Sequence, residues 1–177
     1  MSAPTDPTSH SASQSANDPI AELHFRKHGF QAIAYSTIGC TVIYNHHYLI
    51  EDAADKIRPA PRGGDYQKAW GSVEVGIPNF PQPAEVHWKS PDGAAHSAIV
   101  DIGGIFVDQR VRHRVHESEI PEGWLRDEIA PDIYMEINDR TINVYMQAHV
   151  ATKKEQVSGN KYSNFRNDLI KVWSRTY

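Results

Sequence analysis

Residues 132–152, DIYMEINDRTINVYMQAHVAT, have the pattern of two strands joined by a tight turn. Apolar and polar side chains alternate along both halves, and a period of two is typical of a β-strand because successive side chains point to opposite faces. Asp139 and Arg140 fit a short hairpin loop, since Asn and Asp tolerate the backbone that such loops require. The predicted pairs on the apolar face are Ile137 with Ile142, Met135 with Val144, and Ile133 with Met146.

The opposite face of this hairpin is polar apart from two aromatic rings, and we expect it to be either solvated or used for binding. It carries Tyr134, Glu136, Asn143, Tyr145, Gln147 and His149. A slip of one residue would exchange the two faces, so the pattern specifies the register strongly. An aspartate at position 145 is therefore predicted to be tolerated better than one at Met135 or Val144.

Outward from this hairpin, most of the chain also favours strands. Residues 84–102 predict a second hairpin, because Pro91-Asp92-Gly93 is a turn signal between two alternating runs. Residues 30–37 and 40–44 predict two earlier strands, and residues 105–115 predict one more.

The C-terminal stretch 163–175, SNFRNDLIKVWSR, is the one segment that predicts a helix. Ser163 is a suitable N-cap. Phe165, Leu169, Val172 and Trp173 then form a single stripe, which we expect to pack on the apolar face of the hairpin. The predicted fold class is mainly β (α+β), an antiparallel sheet or sandwich of about seven to nine strands with one C-terminal helix.

The first 19 residues differ in composition from the rest. They are rich in Ser, Ala, Pro and Thr and almost lack large apolar side chains, which predicts a flexible tail. They also lack the basic start and apolar core of a signal peptide. Residues 20–177 are then one globular domain of ordinary size.

Charge and composition exclude several classes of function. The net charge of −4 leaves no basic excess to neutralise a phosphate backbone, so nucleic acid is not an expected partner. The apolar runs are far shorter than the roughly 20 residues that cross a bilayer. Cys40 is the single cysteine, so no internal disulfide can form, and we predict a small buried side chain there.

Motifs that would indicate catalysis or cofactor binding are missing from the sequence. It contains no G-x-S-x-G, no G-x-x-x-x-G-K and no G-x-G-x-x-G. The ten histidines suggest a metal site, but His113 and His116 would point in opposite directions along a strand, and H-E-x-x-H does not occur. We predict no catalytic residue, no cofactor and no metal ligand.

The acidic stretch 117–132, ESEIPEGWLRDEIAPD, predicts a loop that docks on a basic partner. It has six acidic residues against Arg126 alone, and Trp124 lies in its middle. Carboxylates around an aromatic side chain combine charge steering with an anchor. The predicted partner-binding residues are Glu117, Glu119, Glu122, Trp124, Asp127 and Glu128, with Tyr134, Tyr145 and His149 on the polar hairpin face.

Four stretches taken together resemble a known family. They are EVHWKSPDGAAHSAIVDI at 85–102, VRHRVHESEI at 111–120, PDIYMEINDRTINVYM at 131–146 and SNFRNDLIKVWSRTY at 163–177. They resemble the small immunity proteins (Tli type) that are encoded beside phospholipase effectors of the bacterial type VI secretion system. The resemblance implies a protein without enzyme activity that binds a cognate lipase and occludes its active site or substrate entrance. It also implies a periplasmic location and a membrane tether through a lipidated N-terminus outside this chain.

Two alternatives stay open at this level. One is an adaptor that loads such an effector onto the secretion machine, and the other is a small metal-dependent hydrolase that uses the histidines. Bound zinc would favour the hydrolase. Survival of cells in which the lipase is directed to the periplasm would distinguish an immunity protein from an adaptor.

Overall fold

The computed structural model describes residues 17–177, so the predicted tail lies outside the described residues except for positions 17–19. The described part contains twelve strands, one short α-helix and three 3-10 turns. The strands are β1 Lys27–Tyr35, β2 Thr37–Tyr44, β3 His47–Glu51, β4 Ile57–Arg58, β5 Glu74–Pro78, β6 Ala84–Lys89, β7 Ala95–Val100, β8 Asp132–Asn138, β9 Thr141–Gln147, β10 Val150–Ala151, β11 Phe165–Arg166 and β12 Leu169–Thr176. The helix α1 spans Ile102–Ile105, and the 3-10 turns span Tyr66–Ala69, Glu117–Glu119 and Arg126–Glu128.

Most of the strands belong to two sheets that share one core. The first sheet has the order β12-β9-β8-β1-β5, and the second has the order β3-β2-β6-β7 with β4 also paired to β2. Strands β10 and β11 form a separate two-stranded ribbon. Ser36 lies between β1 and β2 with a positive φ of 49°, at the point where the chain passes from the first sheet to the second. The mainly β prediction is confirmed.

The central hairpin has the predicted register. β8 and β9 pair Ile133 with Met146, Met135 with Val144, and Ile137 with Ile142, and all six side chains are buried. They face a core to which both sheets contribute. The alternation of apolar residues was therefore sufficient to fix this element, because any slip would have brought polar side chains into the core.

One pair of neighbouring strands, β1 and β8, departs from the predicted antiparallel arrangement. These two strands pair in parallel, with Gly29 opposite Asp132 and Tyr35 opposite Asn138. The chain between them runs through the whole second sheet, so it is long enough to return to the same end of the first sheet. The first sheet is consequently mixed.

The predicted C-terminal helix was also wrong, because that segment forms β11 and β12. β12 pairs antiparallel with β9, and the register shifts between Lys171 and Trp173. A bulge of this kind places two neighbouring side chains on the same side of a strand, so apolar residues in succession need not indicate a helix. The backbone N–H and C=O groups on this side of β9 need hydrogen-bond partners. A strand can supply them, whereas the backbone groups of a helix bond to one another.

The strand predicted at residues 105–115 is also absent. The short helix α1 ends at Ile105, and the following chain runs irregularly beside residues 18–25. Val111 N–H donates to Leu23 O over 2.8 Å, and Ala21 N–H donates to Val115 O over 3.0 Å. Both valines are buried, so the apolar spacing reports burial against the N-terminal segment. The spacing of apolar residues correctly indicated that these valines are buried, but it could not show that they pack beside residues 18–25.

Candidate partner-binding surface

A surface groove lies between the acidic loop and the end of the β8–β9 hairpin. It has a volume of about 580 Å³ and is open to solvent. We call it the Trp124 groove. Its lining residues are Gly123, Trp124, Leu125, Glu128, Ile129, Ala130 and His149. Three of the residues predicted to bind a partner, Trp124, Glu128 and His149, therefore meet at one place.

The conformation of the loop presents Trp124 at a tight turn. Gly123 has a φ of 75°, which a residue with a Cβ rarely adopts, and the Trp124 N–H lies 3.4 Å from Pro121 O. The Trp124 ring is half-buried and packs against the core cluster. Leu125 next to it is 64% exposed. The indole is thus held in a fixed position while an exposed apolar side chain extends the surface beside it.

Contacts on both sides fix the loop to the body of the protein. Ile120 and Ile129 are buried in the core. The two guanidinium nitrogens of Arg126 donate to the two carboxylate oxygens of Glu117 over 2.6 and 3.1 Å. This pair holds the pKa of Glu117 below its usual value. A two-point contact between exposed groups orders the loop more than it stabilises the fold.

Glu119 has a structural part in the same loop. Its side chain accepts a hydrogen bond from the His116 backbone N–H over 2.8 Å. Its carbonyl accepts one from the Lys153 N–H, also over 2.8 Å. Glu117 and Glu119, both predicted as partner contacts, are therefore already engaged within the chain.

The remaining carboxylates of the loop are available at its surface. Glu122, Asp127 and Glu128 are exposed. Among residues 17–177, none of the three has an ion-pair partner within 4 Å. Glu128 lies in the Trp124 groove and also in a second, smaller groove beside Arg26, Lys27 and Asp127. Glu128 thus lines the Trp124 groove, Asp127 lies in the adjoining groove with the two basic residues, and Glu122 directly precedes Gly123 in the chain. We call these three carboxylates the acidic rim.

The opposite wall of the groove is His149. Its imidazole is exposed and stacks on the Phe165 ring, with 4.2 Å between the ring centroids and 24° between the planes. Phe165 is in β11, which pairs with β10 directly after His149. The ribbon of β10 and β11 therefore positions this wall. Phe165 was not among the predicted partner-binding residues, because the sequence predicted that it would pack against the hairpin from a helix.

The other two predicted residues, Tyr134 and Tyr145, lie elsewhere and are not accessible. They are 1% and 6% exposed, because the Trp70 ring lies over both at centroid distances of 5.5 and 5.4 Å. Burial raises the pKa of each phenol to about 12, and the charges of Asp132 and Glu136 add to the effect. The expectation that this hairpin face is open or used for binding was wrong: residues 66–72 cover it.

The covered face contains a buried carboxylate. Glu136 is 1% exposed, and its oxygens accept hydrogen bonds from the Tyr66 hydroxyl, the Asn143 amide and the Tyr145 hydroxyl over 2.6, 3.1 and 3.2 Å. Three donors meet the requirement that a buried charge be hydrogen-bonded. We interpret this cluster as the means by which residues 66–72 are fixed to the first sheet.

One group of side chains resembles a catalytic triad in composition but not in geometry. Ser90 Oγ lies 2.9 Å from His96 Nε2 and 2.6 Å from Asp92 Oδ1. In a triad the carboxylate orients the histidine, whereas here both groups contact the serine. Ser90 is also fully buried. The cluster stabilises the turn between β6 and β7, where the Ala94 N–H donates to the same Asp92 oxygen over 3.0 Å.

The histidines that suggested a metal do not converge. Within residues 17–177, no group of three or more His, Cys, Asp or Glu side chains is placed to hold a metal ion. His113 Nε2 lies 2.8 Å from Ala21 O, and His116 Nδ1 lies 2.7 Å from Asp18 O. Both rings therefore tie the N-terminal segment to the irregular stretch after α1.

Comparisons with known proteins do not identify a family. No family model matches the chain, and neither a curated protein nor a solved structure matches it. Of the helices in the described part, none has the length and apolar character to span a membrane. The function must therefore be argued from the surface itself and from the resemblance noted in the sequence.

Proposed function

We propose that this chain is an immunity protein that binds a secreted lipase and blocks access to the active site or substrate entrance of that enzyme. The observation that carries the proposal is the Trp124 groove, in which an ordered aromatic side chain, an exposed leucine and the carboxylate of Glu128 lie together. Residues that dominate binding energy at protein interfaces are most often large aromatics in a fixed position surrounded by polar groups. The resemblance in sequence supplies the class of partner.

The charge of the surface favours a basic partner. Glu122, Asp127 and Glu128 are exposed and have no ion-pair partner within 4 Å among residues 17–177, and the chain as a whole has a net charge of −4. A partner whose entrance is ringed by Lys or Arg would be attracted before contact, which raises the association rate. A rapid and tight complex suits an immunity protein, because each uninhibited toxin molecule continues to act.

The rigidity of the loop favours tight binding. The Glu117–Arg126 pair, the buried Ile120 and Ile129, and the turn at Gly123 already hold the loop in one conformation. Less conformational freedom is then lost when the partner docks. A periplasmic location and a lipid tether belong to the same proposal, since the resemblance implies both.

The direct experiment is to measure inhibition of the cognate lipase, which the resemblance implies is encoded beside this chain. Purified protein should abolish hydrolysis of phospholipid vesicles at a one-to-one molar ratio. Directing the lipase to the periplasm of a test strain should be lethal, and co-expression of an exported form of this chain should restore growth. Growth that stays abolished, together with full lipase activity in the presence of the protein, would contradict the proposal.

A further inference from the structure

We infer that two copies of this chain associate through β7, so that the second sheet continues from one copy into the other. The inference does not depend on the lipase. It begins with a property of all β-sheets: an edge strand presents backbone N–H and C=O groups that can pair with another strand. Proteins that stay monomeric protect such edges with charged side chains, proline or bulges.

In the described part of the chain, three of the four edges of the two large sheets have these protections. β12 carries Lys171 and Arg175 and has a shift of register against β9. β5 carries Glu74, ends in Pro78 and also pairs irregularly. The edge formed by β3 carries Glu51 and has a shift of register against β2.

β7 has no charged side chain, proline or bulge to protect its edge. Its sequence, AHSAIV, contains no Asp, Glu, Lys, Arg or Pro, and all six residues pair with β6 without interruption. Within residues 17–177, β6 is the only strand that pairs with it. Ile99 at its outer face is 65% exposed. An uncharged, regular edge with an exposed isoleucine is therefore ready to accept another strand.

A second copy fits this edge because an antiparallel β7 pair about a two-fold axis brings no like charges together. Centring the axis on Ala98 places Ser97 of each copy opposite Ile99 of the other. Ala95 then lies opposite Asp101 of the second copy, and its other neighbour is Lys89 of β6. All three residues are exposed. Asp101 directly follows β7, and one of its carboxylate oxygens accepts a hydrogen bond from the Gly104 N–H over 2.9 Å, so the other oxygen is the one that a lysine would contact.

This arrangement gives the charge complementarity that selects a second copy as the occupant. Adjacent strands lie about 4.8 Å apart, so the Cα atoms of Lys89 and of Asp101 in the other copy would be about 10 Å apart. The small Ala95 side chain between them leaves room for the lysine to reach the carboxylate. The two-fold axis produces this pair twice. Because one short strand from each copy buries little surface, the dimer should dissociate on dilution.

The test is the molar mass of the full chain as a function of concentration, by sedimentation equilibrium. The parent should shift from monomer towards dimer as its concentration rises to the millimolar range. Ile99→Lys and Ser97→Lys should each raise the dissociation constant of the dimer about tenfold or more, because each places two lysines at diagonally neighbouring positions across the axis, where their charges repel. Lys89→Glu should weaken the dimer by placing a carboxylate near Asp101.

Val75→Lys is the matched control. Val75 is 77% exposed on the edge strand of the other sheet, so the substitution adds the same charge at a protected edge. It should leave the dimerisation unchanged. Since all the substituted side chains are exposed, thermal unfolding of the variants should match the parent. A parent that stays monomeric throughout, or a dimer that Ile99→Lys and Ser97→Lys both leave intact, would overturn the inference.

Discussion

The Tyr66 hydroxyl donates a hydrogen bond of 2.6 Å to the buried Glu136 carboxylate, although the two residues are 70 positions apart in the chain. This contact connects the turn at Tyr66–Ala69 with the middle of β8. It explains why a hairpin face with a polar sequence is buried, since residues 66–72 bring both the donor for Glu136 and the ring of Trp70. We therefore expect the stability of the first sheet to depend on the hydrogen bond between Tyr66 and Glu136.

Removal of the Tyr66 hydroxyl tests that dependence. Tyr66→Phe leaves the ring in place but deprives a buried carboxylate of one of three donors, which should lower the free energy of unfolding by about 1–3 kcal/mol. Tyr48→Phe is the matched control, because Tyr48 is exposed and its hydroxyl can bond to water. Urea unfolding of the two variants and the parent gives the comparison. Equal midpoints for Tyr66→Phe and the parent would show that the contact contributes nothing.

The two faces of the hairpin should be equally intolerant of charge. Val144→Asp would bury an unpaired carboxylate in the core, and Tyr145→Asp would place one beside Glu136. We expect both variants to be unfolded by far-ultraviolet circular dichroism, whereas Val75→Asp on exposed β5 should fold normally. This expectation reverses the one drawn from alternation alone. A folded Tyr145→Asp variant would restore the open face that the sequence had predicted.

Stability should fall as the solution becomes mildly acidic. Burial lowers the pKa of His28 and of His113 below 6.5. Both rings are therefore neutral in the folded protein at a pH where they already bind protons in the unfolded chain. The stabilisation is complete above pH 6.5 and is lost as the pH falls through the lower folded values. The pKa of Asp92, lowered to about 2, has its effect only in stronger acid.

Unfolding in urea at about pH 8 and about pH 5 measures this loss. His28→Gln should reduce the difference between the two conditions, because glutamine can contact Asn79 and Tyr44 without binding a proton. His87→Gln is the control, since His87 is exposed on β6. Stability that is unchanged or greater at the lower pH would contradict the assignment.

The sequence was most informative where one face of a strand had to be buried. Alternation correctly predicted the β8–β9 register, because a wrong register would place polar groups in the core. Pro91-Asp92-Gly93 correctly predicted the turn between β6 and β7. The spacing of apolar residues gave the wrong result for residues 163–175, where the bulge in β12 imitates the spacing of a helix. It also could not show that β1 and β8 run in parallel, since pairing direction depends on the path of the chain between the strands.

The same limit applies to the candidate surface. Trp124 and Glu128 could be chosen because an aromatic among carboxylates in a loop has few purely structural uses. His149 joined them only because the hairpin ends beside that loop. The prediction that Tyr134 and Tyr145 contact a partner was wrong, since nothing in the sequence around them shows that Trp70 covers both rings. Whether a distant segment packs over a strand depends on the tertiary structure. A period-two pattern shows only which side chains share one face of that strand.

The acidic rim should control how fast the partner arrives. Glu122 and Asp127 are exposed and without intrachain ion pairs in the described residues, so Glu122→Lys with Asp127→Lys should not disturb folding. The double variant should lower the association rate constant with the lipase about tenfold at low salt, and the difference should shrink at high salt. Glu51→Lys with Glu85→Lys, on the second sheet, makes the same change in net charge and should have a smaller effect. Equal rates for both double variants would show that only net charge matters.

The most direct measurement is the dissociation constant of the lipase complex for variants of the Trp124 groove. Trp124→Ala should weaken binding by about 2 kcal/mol or more, roughly 30-fold in the dissociation constant. Because Trp124 also touches the core, Leu125→Asp serves as a second variant: its side chain is 64% exposed, so folding should be preserved while binding falls. Tyr48→Ala, an exposed aromatic on the second sheet, should bind like the parent. If Leu125→Asp and a folded Trp124→Ala both bind the lipase as tightly as the parent does, the groove is not the binding surface.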